Sequence, residues 1–313
     1  MRQHVRIPKT RLWGIALAAV TAVVSGFSVF VNGYGVRSWT GAGASSAAYT
    51  TFKNLVAALL LGAIAYGVAR RAPAGSLRPK NASQWRRLGF IGVIGGGAAF
   101  LLFFEGFARI ASASSAQAGF IHKTLLLWVA VLAVPFLAER VGVLHYAAMG
   151  LLVAGQVYLT GLNGFRFGAG EAMILAATLL WAVEVVVAKR VLADVPASTV
   201  AIARMGIGAV VLIGWTAATG GFAGLGALTA TQWGWAAVTG LALTAYVTSW
   251  YGALARAQAL DVTAVLVFGA VITAALETGI RGVALPSAAG LVMVTAGAVL
   301  AVLAAARAAR QKA

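Results

Sequence analysis

Long runs of apolar residues separated by short polar stretches dominate this chain. A bilayer core about 30 Å thick requires roughly 20 apolar residues per helix, and this rule divides the sequence into ten predicted spans. They are Leu12–Val31, Ser46–Ala69, Leu88–Ala108, Ser112–Leu137, Val141–Gly161, Gly170–Ala188, Ala197–Thr219, Gln232–Ala255, Val262–Gly279 and Ser287–Ala306. The pattern therefore predicts an all-α membrane protein with ten transmembrane helices.

The composition agrees with this interpretation and excludes several classes of protein. Hydrophobic residues make up 61% of the chain and charged residues 10%, whereas soluble domains carry about 25% charged residues. The absence of cysteine excludes disulfide bonds, thiolate metal sites and a cysteine nucleophile. With three histidines and seven acidic residues as the remaining ligands, we predict no metal centre and no cofactor.

The positions of the basic residues predict the orientation of the chain in the membrane. Of the 24 Lys and Arg residues, 17 fall in one set of connections, which we assign to the cytoplasm by the positive-inside rule. The other seven are Arg37, Arg109, Arg166 and Arg281 in the outer connections, and Lys53, Lys123 and Arg204 within spans. We expect a multi-pass protein of the bacterial inner (cytoplasmic) membrane with both termini cytoplasmic. The net charge of +17 then needs no nucleic-acid partner.

Two short similarities at nearly the same offset indicate an internal duplication. Lys53 and Arg204 each precede an aliphatic run in the second and seventh spans, and the ends of the third and eighth spans also resemble each other. These matches predict a 5+5 repeat, with residues 1–161 as the first half and residues 162–313 as the second. A repeat of five spans inverts the second half. Inverted repeats are common in secondary transporters, whose substrate site lies near mid-membrane.

The segment Glu105–Ala116, followed after a span by Pro135–Val141, resembles the EamA-type signature of the drug/metabolite transporter superfamily. Leu180-Trp181-Ala182 leading to Lys189 in the sixth span is also similar to that family, as are the cations of the second and seventh spans. The resemblance implies ten helices, two inverted EamA repeats and transport of amino acids or other small metabolites, often as export. Where the family usually has proline, this chain reads Ile121-His122-Lys123-Thr124.

Ionisable residues within spans are costly in hydrocarbon and therefore mark candidate functional positions. Glu184 and Arg204 lie at similar predicted depth on consecutive helices, which fits either a structural ion pair or a proton-linked gate. Glu105 is expected to pair with Arg109 one turn further on or with Lys53. We group Glu105, Glu184 and Arg204 as candidate coupling or gating residues.

Lys123 lies about eleven residues into the fourth span, near the predicted midplane, and no acidic residue matches its depth. We therefore predict that it lines a substrate cavity, where a carboxylate-bearing solute would be its partner. His122 points about 100° away around the helix, and both a packed histidine and a proton carrier remain open for it.

Polar and aromatic residues near these cations complete the predicted substrate site. Tyr49, Lys53 and Asn54 form a polar patch on the second span. The other candidates are Gln117, Thr124, Trp128 and Trp181. The tryptophans fit either helix packing or a pocket wall, and in a pocket they would suit an amino acid with an apolar side chain.

These observations together predict a secondary transporter, and more specifically an exporter of amino acids or related carboxylate-bearing metabolites by alternating access. No metalloprotease motif, nucleophile elbow or acid cluster indicates an enzyme. A passive channel and a retinal protein with a Schiff-base lysine are the alternatives. The expected partners are a small solute and the lipid bilayer, with protons as a candidate coupling ion. Monomer and homodimer both remain open.

Overall fold

The computed structural model of the chain describes residues 9–70, 78–110, 115–160, 167–282 and 287–310, and these residues contain no β-strand. Arg166, the start of the predicted fourth span and the end of the fifth lie outside them. The helices are α1 Lys9–Gly41, α2 Ser46–Ala69, α3 Ala82–Phe90, α4 Ala99–Arg109, α5 Ser115–Lys123, α6 Leu125–Leu137, α7 Val143–Thr160, α8 Ala169–Val191, α9 Ala197–Ala218, α10 Ala230–Leu254, α11 Ala259–Leu266, α12 Gly269–Arg281 and α13 Ala288–Arg310.

Eight helical stretches of the described residues are long and apolar enough to cross a membrane, which supports a multi-pass protein. They are Thr10–Gly41, Ser46–Ala69, Ala82–Arg109, Ala118–Leu137, Ala169–Val191, Ala197–Ala218, Ala259–Arg281 and Ala288–Arg307. The apolar part of α7, Val143–Leu159, is shorter. Helix α10 is 25 residues long and lies where the eighth span was predicted.

The first helix is longer than the sequence predicts, because α1 continues past Val31 to Gly41. Asn32 directly follows the predicted end of this span, and its side-chain amide donates to the carbonyl of Ser28 within the same helix. Further along α1, the indole of Trp39 donates to the carbonyl of Gln232 at 2.7 Å. The Trp39 contact stabilises the added turns against α10, so Arg37 belongs to the helix instead of a connection.

The third predicted span, Leu88–Ala108, is a continuous helical stretch with an irregular centre. Helices α3 and α4 flank a π-helical segment, Ile91–Ala98, which contains the glycine run of the sequence. A side chain at Gly96 would place its Cβ 2.0 Å from the carbonyl oxygen of Arg204. The glycines therefore allow α9 to pack directly against the backbone of this segment, as small residues do between membrane helices.

The fourth and ninth predicted spans, Ser112–Leu137 and Val262–Gly279, each contain a short break between two helices, and each still includes a stretch long enough to cross a membrane. Helices α5 and α6 meet at Thr124, and α11 and α12 meet at residues 267–268. Both breaks adjoin the middle of α1. Lys123 Nζ donates to Ser25 Oγ at 3.1 Å, and the hydroxyl of Thr273 donates to the carbonyl of Gly26 at 3.0 Å.

The contacts between helices form matching pairs. If each predicted span is replaced by the span five places further along the chain, one contact of a pair becomes the other. Helix α1 packs on α10, and α8 packs on α4. Helix α2 packs on α10, and α9 packs on the π-helical segment. Helices α11 and α12 contact α1 as α5 and α6 contact α8. Two further pairs, α2 with α9 and α7 with α13, map onto themselves.

Candidate functional site

A cavity of about 90 Å³ lies in the middle of the bundle. One water molecule needs roughly 10–15 Å³ on such a measure, so the cavity has room for a small organic solute. Its wall combines cationic, hydroxyl, amide and aromatic side chains from α1, α2, α4, α5, α8, α9 and α10. The lining residues are Ser25, Ser28, Val29, Asn32, Lys53, Phe100, Phe103, Phe104, Phe107, His122, Trp181, Arg204, Thr239, Leu243 and Tyr246.

Lys53 supplies a buried ammonium group to the cavity wall, with only 2% of the residue exposed. Its Nζ lies 3.5 Å from the centroid of the Phe104 ring and 5.2 Å from that of Phe100. It also donates to Asn32 Oδ1 at 3.4 Å. Within the described residues Lys53 makes no ion pair with an acidic side chain. Its Nζ therefore remains available as a hydrogen-bond donor to a solute.

Arg204 is the second cation of the wall and, unlike Lys53, it has a carboxylate partner. Its Nη2 lies 3.8 Å from Glu184 Oε2, and both side chains are buried. The hydroxyl of Tyr251 donates to Glu184 Oε1 at 2.5 Å, so α10 holds the carboxylate in place from the other side. The predicted pairing of Glu184 with Arg204 is confirmed.

Tyr49 supports the wall from behind. Its hydroxyl lies 3.0 Å from both Asn32 Oδ1 and Thr239 Oγ1, which line the cavity. Asn54, the next predicted residue of this helix, is fully buried and donates to the carbonyl of Thr50 at 2.7 Å. Tyr49 thus acts through Asn32 and Thr239, and Asn54 lies outside the cavity wall.

Aromatic rings form most of the remaining wall. Phe100, Phe103, Phe104 and Phe107 follow one face of α4 at helical spacing, and all four line the cavity. The imidazole of His122 packs edge-on against Trp181, with 5.1 Å between ring centroids. The Trp181 indole donates to the carbonyl of Gly95 at 3.0 Å. His122 and Trp181 therefore both line the cavity, and a role for them in substrate binding stays a prediction.

Lys123 lies next to this cavity without lining it. Its Nζ donates to Ser25 Oγ, and Ser25 belongs to the cavity wall. Lys123 itself lines a smaller cavity of about 30 Å³ together with Thr124, Leu152 and Val267. Thr124 accepts a hydrogen bond from the Trp128 indole at 3.2 Å, and neither of these two predicted residues lines the larger cavity. The side chain of Gln117 lies outside the described part of the chain.

Glu105 is at the edge of the bundle, away from Lys53. Its Oε1 accepts from Arg109 Nε at 3.1 Å, and the Glu105 side chain is 41% exposed. The hydroxyl of Ser46 donates to its other oxygen at 2.5 Å. Of the two partners predicted for Glu105, the structure therefore shows Arg109.

A second buried polar network closes one end of the bundle. Asp261, fully buried in the first turn of α11, accepts from Arg11 Nη2 at 2.8 Å and lies 3.1 Å from His145 Nε2. Glu139 accepts from the backbone amides of Ala259 and Leu260 at 2.7 and 3.0 Å. These amides begin α11, so Glu139 caps that helix where its dipole favours negative charge.

The environment of Glu139 acts on its ionisation in two directions. Burial raises the pKa of the Glu139 carboxyl above its usual value, although the two amide hydrogen bonds and nearby Lys189 oppose this shift. Lys189 in turn donates to the carbonyls of Leu254 and Ala257 at 2.5 and 2.6 Å. A cation thus stabilises the end of α10 as a carboxylate stabilises the start of α11.

Aromatic side chains close the opposite end of the bundle. The ring of Trp233 packs edge-on against Trp39 and Phe52, with centroid distances of 5.0 and 4.8 Å. These contacts join α1 and α2 to the start of α10. The central cavity therefore lies between a charged network at one end and an aromatic cluster at the other.

Sequence reasoning missed part of this wall. Asn32, Ser25, Thr239 and Tyr246 reach the cavity through helix packing, which a single sequence does not reveal. The phenylalanines of α4 carried a readable signal, because their spacing of three and four residues places them on one helix face. In so apolar a chain, however, that spacing is equally typical of a packing face.

Comparison with known proteins agrees with this architecture. The profile of the EamA-like transporter family matches residues 12–161 and again residues 168–303. The chain therefore belongs to the EamA-like transporter family, which is part of the drug/metabolite transporter superfamily. Members of this family are membrane transporters and not enzymes. Among curated proteins, none matches this sequence.

Solved structures share the fold. One crystal structure superposes with a TM-score of 0.72 over 95% of this chain and 99% of its own, at 20% sequence identity. In all, 28 solved chains match. At this identity the similarity shows a common fold and carries no statement about substrate.

Proposed function

We propose that this protein is a secondary transporter that moves small carboxylate-bearing organic solutes, amino acids among them, outward across a bacterial inner membrane by alternating access. The observation that carries the proposal is the buried cavity with Lys53 and Arg204 in its wall. Cations inside a bundle of membrane helices are costly unless they serve a solute or a partner. Family membership supports transport as the activity.

The proposed architecture is a pair of inverted repeats of five spans, 1–161 and 162–313, each corresponding to one EamA unit. The eight apolar spans, together with α7 and α10, would make ten. The exchange of helix contacts under a shift of five spans supports this arrangement. Alternating access would then open the charged end and the aromatic end in turn, around a site between the repeats.

Counterflow in proteoliposomes tests the proposed activity. Proteoliposomes that contain the purified protein and are loaded with an unlabelled amino acid or organic acid are expected to accumulate the labelled solute saturably. Liposomes without protein are not expected to do so. Lys53→Gln should reduce this uptake strongly, because it removes the cation that has no carboxylate partner. Conductance that does not saturate would favour a passive channel and contradict the proposal.

Proton coupling is proposed through Glu184 and Arg204. A carboxylate held between Arg204 and Tyr251 would release or accept a proton as these partners move apart. If so, an imposed pH gradient drives accumulation in the wild type, whereas Glu184→Gln retains counterflow and loses the response to the gradient. A variant that still responds to the gradient would remove Glu184 from this role.

The orientation of the chain is also a proposal, and it has a direct test because the chain contains no cysteine. Ala193 and Ala223 are exposed residues in connections on opposite predicted sides. In intact cells a membrane-impermeant maleimide should label Ala223→Cys, and it should label Ala193→Cys only after permeabilisation. The reverse pattern would mean that both termini lie outside the cytoplasm.

A further inference from the structure

The seven acidic residues of the chain all lie in its described part, and none of them lines the central cavity. The seven are Glu105, Glu139, Glu171, Glu184, Asp194, Asp261 and Glu277. The cavity wall therefore contains cations and neutral groups, and it offers no carboxylate to a bound solute.

Glu184 is the acidic residue that pairs with a cation of the cavity wall, and its two oxygens are already engaged. One accepts from the hydroxyl of Tyr251 and the other faces the guanidinium of Arg204. Only 1% of the residue is exposed. Elsewhere Glu105 pairs with Arg109, and Asp261 with Arg11. A solute ammonium group entering the cavity would thus meet no free counter-ion.

The aromatic rings do not replace the missing carboxylate. An ammonium group can also bind over an aromatic face, but Phe104 and Phe100 already hold the ammonium of Lys53. Phe100 in addition holds the guanidinium of Arg204 at 5.4 Å. A second cation placed among these rings would compete with both side chains for the same aromatic faces.

Several buried polar atoms of the wall are suited to bind the carboxylate of a solute whose remaining part is apolar. Arg204 Nε and Nη1, which are donors, and Ser28 Oγ have no hydrogen-bond partner within the described residues. These atoms and Lys53 Nζ offer donors to a carboxylate. Phe103, Phe107 and Trp181 offer flat apolar surface to a ring.

We infer that the cavity selects aromatic carboxylates without an ammonium group, such as arylalkyl monocarboxylates, over amino acids of the same shape. The inference rests on the proposed function, because it specifies the solute class of the same site. Within the broader class of carboxylate-bearing solutes, it places organic anions ahead of zwitterions.

The experiment compares 3-phenylpropanoate with L-phenylalanine, which differ only in the α-ammonium group. Binding to the full-length protein in lipid nanodiscs is measured by titration calorimetry, so that diffusion of the neutral acid through lipid does not interfere. We expect 3-phenylpropanoate to bind at least tenfold more tightly, a difference of about 1.4 kcal/mol. Lys53→Gln should abolish most of this preference, whereas Lys53→Arg should keep it.

A gain-of-acid variant tests the same point in the opposite direction. Ser28→Asp adds a carboxylate to the wall, and it should shift the preference toward phenylalanine by at least tenfold relative to the wild type. Ser28→Asn has the same size without the charge and should leave the preference unchanged. Equal shifts in the two variants would attribute the effect to volume and contradict the inference.

The outcomes separate this inference from the proposed function. If phenylalanine binds as tightly as 3-phenylpropanoate and is transported, the inference is wrong and the proposed function stands. If neither compound binds, and no amino acid or organic acid shows counterflow, both are wrong. Tight, Lys53-dependent binding of 3-phenylpropanoate supports both.

Discussion

Lys53 and Arg204 lie over the same aromatic ring, with Lys53 Nζ 5.2 Å and Arg204 Cζ 5.4 Å from the centroid of Phe100. The two cations come from α2 and α9, at the positions that the sequence repeat relates to each other. A single side chain of α4 thus holds one cation from each half of the chain beside the cavity.

Replacing this ring should weaken both contacts at once. Phe100→Leu keeps an apolar side chain but removes the π face, and each lost cation–π contact should cost about 0.5–2 kcal/mol. The expected result is a lower melting temperature in detergent and weaker anion binding. Phe27→Leu, at an exposed position of α1, is the matched control. Equal losses in the two variants would show that Phe100 acts only by filling space.

Glu184 pairs with Arg204 and Glu105 pairs with Arg109, and the two pairs predict different losses of stability when the glutamate is replaced by glutamine. Glu184→Gln leaves the buried Arg204 without a counter-ion, which should cost about 3–5 kcal/mol of unfolding free energy. Glu105→Gln disrupts an exposed pair and should cost about 0–1 kcal/mol. Thermal unfolding of both purified variants measures the difference. Similar stabilities would mean that Glu184 and Arg204, 3.8 Å apart, contribute little to each other.

Replacing Lys123 should reduce transport without preventing the protein from folding. Its ammonium reaches the cavity only through Ser25, so Lys123→Ala should reduce the rate of counterflow several-fold through the position of Ser25. We expect the variant to remain monodisperse in gel filtration. Ser25→Ala should reproduce the same reduction, because it removes the other partner. Unchanged transport in both variants would exclude this pair from the site.

Two glycines of α9 distinguish close packing from general helix flexibility. A Cβ at Gly208 would lie 2.5 Å from backbone atoms of Gly96, whereas a Cβ at Gly206 would meet nothing within 4 Å. Gly208→Ala should therefore destabilise the protein by about 1–3 kcal/mol or more. Gly206→Ala should be neutral or stabilising by about 0.5–1 kcal/mol. Melting temperatures measured side by side decide the matter, and equal values would refute close packing at Gly208.

The network around Asp261 predicts a large effect far from the cavity. Asp261→Asn removes the charge that partners Arg11 and His145, and a broken buried pair should cost about 3–5 kcal/mol. Asp194 is exposed in the connection after α8, so Asp194→Asn should change stability by less than about 0.5 kcal/mol. Thermal unfolding distinguishes the two, and a stable Asp261→Asn variant would show that this end of the bundle is closed by other contacts.

Some features were predictable because they depend on position along a helix. Helix α2 spans Ser46–Ala69 as predicted from its apolar run. The pairing of Glu184 with Arg204 followed from their similar predicted depth, and that of Glu105 with Arg109 from their spacing of four residues. Depth and spacing are both properties of the sequence once a helix is assumed.

Other features depend on rotation about the helix axis, which a single sequence does not determine. Lys123 was expected to line the substrate cavity, but its buried side chain lines the smaller neighbouring cavity. Tyr251, the hydroxyl partner of Glu184, lies on α10, and only the packed structure brings them together. The extension of α1 was missed for a similar reason, since Asn32 and Trp39 of α1 have partners on other helices.

The π-helical segment between α3 and α4 also fixes which way the phenylalanines of α4 face. Each residue of an α-helix advances the direction of the following side chains by about 100°. Deleting one glycine of this stretch would therefore turn Phe100 and its companions a quarter of a circle or more past the cations. The number of residues in this glycine-rich segment therefore determines whether the phenylalanine rings of α4 face the cavity.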